Sequence, residues 1–90
     1  MKIKEGYILR KVNNDYIVVT VGKAAVDFSG LIKLNETGAF LFDLLKDDQT
    51  KNSLLEAVIN EYDVDEELAL KDIDNFLNVL RKHNILNETN

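Results

Sequence analysis

At Leu34–Asn35 the sequence changes period, and that change limits the folds open to it. Before it, "YILRKV" (7–12), "YIVVTV" (16–21) and "LIKL" (31–34) are rich in β-branched and aromatic residues and read as strands. After it, apolar residues recur at intervals of three and four behind side chains suited to N-caps, which is the pattern of helices. The predicted order is three strands followed by three helices. A three-stranded antiparallel sheet with one face covered by helices is a small α+β domain.

The punctuation sets the boundaries. Asn13-Asn14-Asp15 separates the first two strands, and these residues tolerate the positive φ of tight turns, so a hairpin is expected. Asp27 to Gly30, "DFSG", is a second turn signal, while Lys23 to Val26 fits either an extension of the second strand or a lead into the third. The first helix is expected over 35–46, with Asn35 as cap, Glu36 at the positive end of the dipole, and Phe40, Leu41, Leu44 and Leu45 as its apolar residues. Gly38 in its first turn costs up to about 1 kcal/mol relative to alanine, which points to a close backbone approach there. Thr50 caps a second helix (50–62) that buries Leu54, Leu55, Val58, Ile59 and Tyr62. Asp63 or Asp65 caps a third (65–83), whose face is Ala69, Ile73, Phe76, Leu77 and Leu80. Asn84 is the expected left-handed residue after it, and Ile85-Leu86 can fold back onto the core. The short Asp63-Val64 link resembles a helix-turn-helix, so a winged-helix relative is admitted.

Composition narrows function. Ninety residues, 46% of them hydrophobic, suffice for one core, and residues 1–90 are expected to form a single domain. Without cysteine the chain alone builds no disulfide, thiolate nucleophile or cysteine-ligated metal site. No apolar run approaches the length needed to span a bilayer, and "MKIKEGYILRK" lacks the apolar core of a secretory signal. A cytoplasmic location with no membrane partner is expected. The two sequons, Asn35-Glu36-Thr37 and Asn87-Glu88-Thr89, then read as chance. A formal net charge of −5 opposes non-specific attraction to phosphate backbones.

Little chemistry is expected. His83, the single histidine, sits where positive charge suits the end of a helix. Ser29 and Ser53 have no evident histidine–carboxylate partners, and Asp47-Asp48 reads as a solvated loop. Asp63, Asp65 and Glu67 have the spacing of a calcium loop, but the required glycine and glutamate are replaced by Leu68 and Asp74. Capping explains them better. There is no glycine-rich phosphate motif, so no catalytic residue, metal or cofactor is expected.

"LNETGAFLFDLL" (34–45), "EYDVD" (61–65) and "DIDNFLNVLRKHNIL" (72–86) resemble the PqqD-like family, named for pyrroloquinoline quinone biosynthesis protein D. The resemblance runs from about Tyr7 to Leu86 and is most specific at the hydrophobic-Asn-Glu-Thr-Gly-Ala start of the first helix. Ser53 stands where the family often has glutamate, and Asn84 where it has glycine. The resemblance implies a winged helix-turn-helix-like fold and a non-catalytic peptide chaperone, also called a precursor peptide recognition element. Such a protein binds the leader segment of a ribosomally made precursor peptide and presents it to a modifying enzyme, often a radical S-adenosylmethionine enzyme.

The resemblance also implies a site. The third strand, Leu31-Ile32-Lys33-Leu34, would be an open edge to which the leader adds as a further strand against the last helix. That helix carries a stripe beside its core face, Leu68, Asp72, Asn75 and Val79, spaced i, i+4, i+7, i+11. The residues leave open a broad core face or a groove wall; the resemblance implies the wall, with Phe76 beside it. Asp72 also admits a structural role, bonding a neighbouring backbone group. The alternative function is a winged-helix DNA-binding regulator. Its third helix should bring cations to phosphates, whereas this one sets Asp65, Glu66, Glu67, Asp72 and Asp74 against Lys71, Arg81 and Lys82. No nucleic-acid partner is therefore expected. A dissociated subunit that completes another enzyme's site is a third reading.

Overall fold

A computed structural model describes residues 1–22 and 32–88. The elements are β1 (Lys2–Ile3), β2 (Tyr7–Val12), β3 (Asp15–Thr20), β4 (Ile32–Leu34), α1 (Glu36–Leu44), α2 (Lys51–Tyr62), α3 (Glu66–Lys82) and β5 (Leu86–Asn87). Strands β2, β3 and β4 form an antiparallel sheet in that order, so among the described residues β4 is an edge. The predicted order of three strands and three helices holds. Leu31 and the predicted turn at Asp27–Gly30 lie outside the described residues, as does the 23–26 segment.

Two features depart from the expected boundaries. Asp15 belongs to β3 and pairs with Val12, so the hairpin loop is only Asn13-Asn14, with Asn13 at φ 57. The strand accordingly ends at Thr20 rather than Val21. Strands β1 and β5 form a separate two-stranded ladder, Lys2 opposite Asn87 and Ile3 opposite Leu86. Ile3 turns its N–H away from this ladder to the Leu45 carbonyl at 2.9 Å, while the Lys4 N–H reaches Ile85 at 2.8 Å. Thus β1 bridges β5 and the end of α1.

The caps form as the sequence implies. Asn35 Oδ1 accepts from the Gly38 N–H at 2.7 Å. Thr50 and Ser53 exchange side chain–backbone bonds in a capping box. Asp65, not Asp63, caps α3 and accepts from Leu68 N–H. Asp63 instead ends α2 at φ 50, a left-handed conformation that aspartate tolerates. Asn84 takes the same conformation after α3, and Ile85 and Leu86 fold back into the core.

Packing places the helices. All five expected core residues of α3 (Ala69, Ile73, Phe76, Leu77, Leu80) are buried. On α2 only Leu54 and Val58 are fully so; Leu55, Ile59 and Tyr62 pack at the margin. On α1 the expected face is corrected: Phe42 is buried with Leu41 and Leu45, whereas Phe40 and Leu44 are half-buried. Phe40 meets the Tyr62 ring edge-on, 5.5 Å between centroids, and so ties α1 to α2. Helix α1 makes the main contact with the sheet, and α2 and α3 pack on α1.

Candidate functional site

The hairpin decides which backbone groups β4 leaves free. In an antiparallel ladder, alternate residues turn both N–H and C=O toward one neighbour and then the other. The Val21 N–H donates to Gly6 O at 2.8 Å, continuing the unbroken β2–β3 register. Odd-numbered residues of β3 therefore face β2, and Tyr16 and Val18 face β4. Their partners Leu34 and Ile32 are bonded inward. Lys33, opposite Ile17, turns its N–H and C=O outward.

Beside this edge lies a cleft of about 210 Å³ between β4, the start of α1 and one side of α3. Its depth comes from Gly38. A Cβ there would stand 3.3 Å from Leu34 Cβ and 3.5 Å from Phe76 Cδ1, so those two side chains close over the bare backbone. The close approach expected at Gly38 is real. Along α3 the wall is Asp72, Asn75, Phe76 and Val79, which stacks apolar and polar groups on one face.

Six of the nine residues expected at the site line this cleft: Lys33, Leu34, Asp72, Asn75, Phe76 and Val79. Three do not. Leu31 is outside the described residues. Ile32 is buried beneath the edge as part of the core. Leu68 is exposed in the first turn of α3 and does not line the cleft. Asn35, Thr37 and Gly38 also line it and were missing from the expected set. They carry a signal, the Asn-Glu-Thr-Gly motif, which marks the helix start, the close approach at Gly38 and the family resemblance but does not by itself place these residues in a cleft.

The electrostatics of the cleft are uneven. Lys33 Nζ is 3.0 Å from Asp15 Oδ1, so this cation already has a partner. Asp72 is half-buried and makes no hydrogen bond or ion pair among the described residues. The structural role admitted for it is absent. It sits in mid-helix, where neighbouring N–H groups are already used, so no local donor is open to it.

The resolved shifts in proton affinity lie elsewhere. A hydrogen bond from Arg81 holds Glu88 below the ordinary carboxylate range, and the same contact raises Arg81. The amino terminus lowers Asp48 through a 2.8 Å bond, and burial, then Glu36 and Glu61, raises Tyr62. A second hollow, about 480 Å³, lies around β1. Its Lys4 bonds Asn84 and its Lys46 pairs with Asp43, both at 2.8 Å.

Among the described residues, no group of three or more histidine, cysteine or acidic side chains is placed to hold a metal, and no helix is long and apolar enough to cross a membrane. The cleft itself combines a free backbone edge with one carboxylate (Asp72), one hydroxyl (Thr37) and two amide side chains (Asn35 and Asn75). Such a surface is fitted to hold an extended chain.

Residues 16–86 match the family model described as coenzyme PQQ synthesis protein D (PqqD). A solved structure, TbiB1 in complex with the TbiA(beta) leader peptide, matches with a TM-score of 0.75 at 19% identity. The match covers 100% of this chain and 99% of that one, and at this identity it is a likeness of fold. No curated protein matches the chain.

Proposed function

The chain belongs to the PqqD family, and from that premise we propose that it is a non-catalytic peptide-binding chaperone, a single domain over residues 1–90. It binds the leader segment of a ribosomally made precursor peptide by strand addition to β4. It then presents that peptide, in the cytoplasm, to a modifying enzyme of the radical S-adenosylmethionine type or another class.

The observation that carries this reading is the outward N–H and C=O of Lys33 beside the cleft. An added strand would find a donor and an acceptor on the edge and an apolar floor of Leu34 and Phe76 next to them. The fold relative TbiB1, solved with a leader peptide, supports a leader peptide as the ligand. The contact set we propose is Leu31, Ile32, Lys33 and Leu34 for the strand, with Leu68, Asp72, Asn75, Phe76 and Val79 opposite. The DNA-binding alternative is disfavoured by charge, since Arg81 is clamped by Glu88 at 2.7 and 3.0 Å.

Amide hydrogen exchange tests the proposal, using synthetic peptides encoded by short reading frames beside this gene. A leader segment should slow exchange at Lys33 and perturb Asn75 and Val79. Slowed exchange confined to β1 and β5, or none with any such peptide, would overturn it.

A further inference from the structure

We propose that Asp72 selects a lysine or arginine side chain in the bound peptide. This deepens the strand-addition reading and rests on it.

Asp72 differs from its acidic neighbours. Asp74, two residues on, pairs with Lys51, and Asp15 pairs with Lys33. Asp65 caps its own helix. Asp72 alone of these lies half-buried in the cleft with no partner among the described residues. A peptide laid over it strips its remaining water. A carboxylate covered in that way is costly unless a cation or donor replaces the water. The same group therefore penalises an apolar residue above it and rewards a cationic one, which is how one side chain gives discrimination.

Strand geometry says where that cation falls. The peptide residue opposite Lys33 shares the Lys33 face, directed away from the helices. Its two neighbours, opposite Ile32 and Leu34, point their side chains toward α3. These two are about 7 Å apart along the strand. On α3, Asp72 and Val79 are separated by a rise of about 10 Å, with Asn75 and Phe76 between them. A cationic and an apolar residue with one residue between them thus match the polar and apolar ends of the wall. Asn75, one turn from Asp72, can accept a second hydrogen bond from the cation.

Selection from a random 12-residue peptide display library against the full chain tests this. Wild type should enrich peptides carrying Lys or Arg two positions from an apolar residue. Asp72→Asn should lose the basic preference and keep the apolar one, and Asp72→Lys should favour Asp or Glu instead. For a selected peptide, Asp72→Asn should weaken binding roughly tenfold at low salt, and the gap should narrow as salt rises. Circular dichroism confirms that each variant is folded.

Enrichment without a basic preference, or the same preference in Asp72→Asn, overturns the assignment and leaves strand addition standing. Selected peptides whose binding is untouched by Lys33→Pro overturn the strand-addition reading, and the role of Asp72 with it.

Discussion

Lys33 and Ile17 face one another across the β3–β4 ladder at a position where neither directs its hydrogen-bonding groups at the other. Ile17 is bonded to β2, and Lys33 is left with both groups on the open side. Lys33→Pro should therefore spare the sheet, because the lost N–H is not part of it and proline is tolerated at such edge positions. The Asp15 pair is lost as well, but it is exposed and worth at most about 1 kcal/mol. Affinity for a display-selected peptide should fall by about 1 kcal/mol or more. Calorimetric titration measures it; unchanged affinity in a folded variant would place the peptide on another surface.

Val79→Asp is the complementary test on the opposite wall. Val79 is 37% exposed and lies off the buried face of α3, so the fold should survive. A carboxylate at the apolar end of the cleft should reduce peptide affinity roughly tenfold. An equally tight complex would show that the peptide does not reach this turn of α3.

Gly38→Ala separates helix propensity from packing. In an open helix the change is worth up to about 1 kcal/mol in stability. Here the new Cβ would lie 3.2 Å from Asn35 Oδ1 and 3.3 Å from Leu34 Cβ, pressing on both the cap and the cleft floor. Urea denaturation should show no gain, and peptide binding should weaken. A full propensity gain with normal binding would mean that the floor yields freely.

Arg81 and Glu88 give a pH signature. Because Glu88 is lowered in the folded chain, its contribution is present above the ordinary glutamate range and lost as pH falls through its folded value. Wild type should exceed Glu88→Gln in stability near neutral pH by no more than about 1 kcal/mol, since both partners are 45% exposed. The difference should shrink as pH falls below the ordinary glutamate value and vanish once Glu88 is protonated in the folded chain as well. A difference that persisted in acid would assign the effect to packing of the chain after β5 rather than to charge.

Much of this arrangement was legible before any coordinates, and the residues explain where legibility ended. On helix α3 the helical spacing of Ala69, Ile73, Phe76, Leu77 and Leu80 marks the core face, although Leu68, Leu70 and Val79 add apolar residues beside it. Helix α1 is apolar nearly all round, "GAFLFDLL", and periodicity cannot choose there between Phe40 and Phe42. Strands of two residues, such as β1 and β5, have no period to detect. The α3 wall came from the family resemblance, because the stripe Leu68, Asp72, Asn75 and Val79 by itself fits a broad core face equally well. The shape of the floor needed the structure, because Leu34 and Phe76 meet there only where Gly38 lacks a side chain. Likewise the direction of the Lys33 N–H depends on the loop Asn13-Asn14, some twenty residues away, and becomes fixed only when three strands are in register.

The described edge turns one residue outward, and that sets a timescale. One donor and one acceptor contribute about 1 kcal/mol each, so most of the binding energy must come from a few side chains in a shallow cleft. Dissociation constants near 1 µM are the natural outcome, and with ordinary association rates the bound peptide dwells for about a second. In the proposed role, an edge with several outward residues would hold its guest far longer and compete with the enzyme to which the peptide is presented. For the proposed peptide, the described part of this edge offers a hold measured in seconds rather than hours.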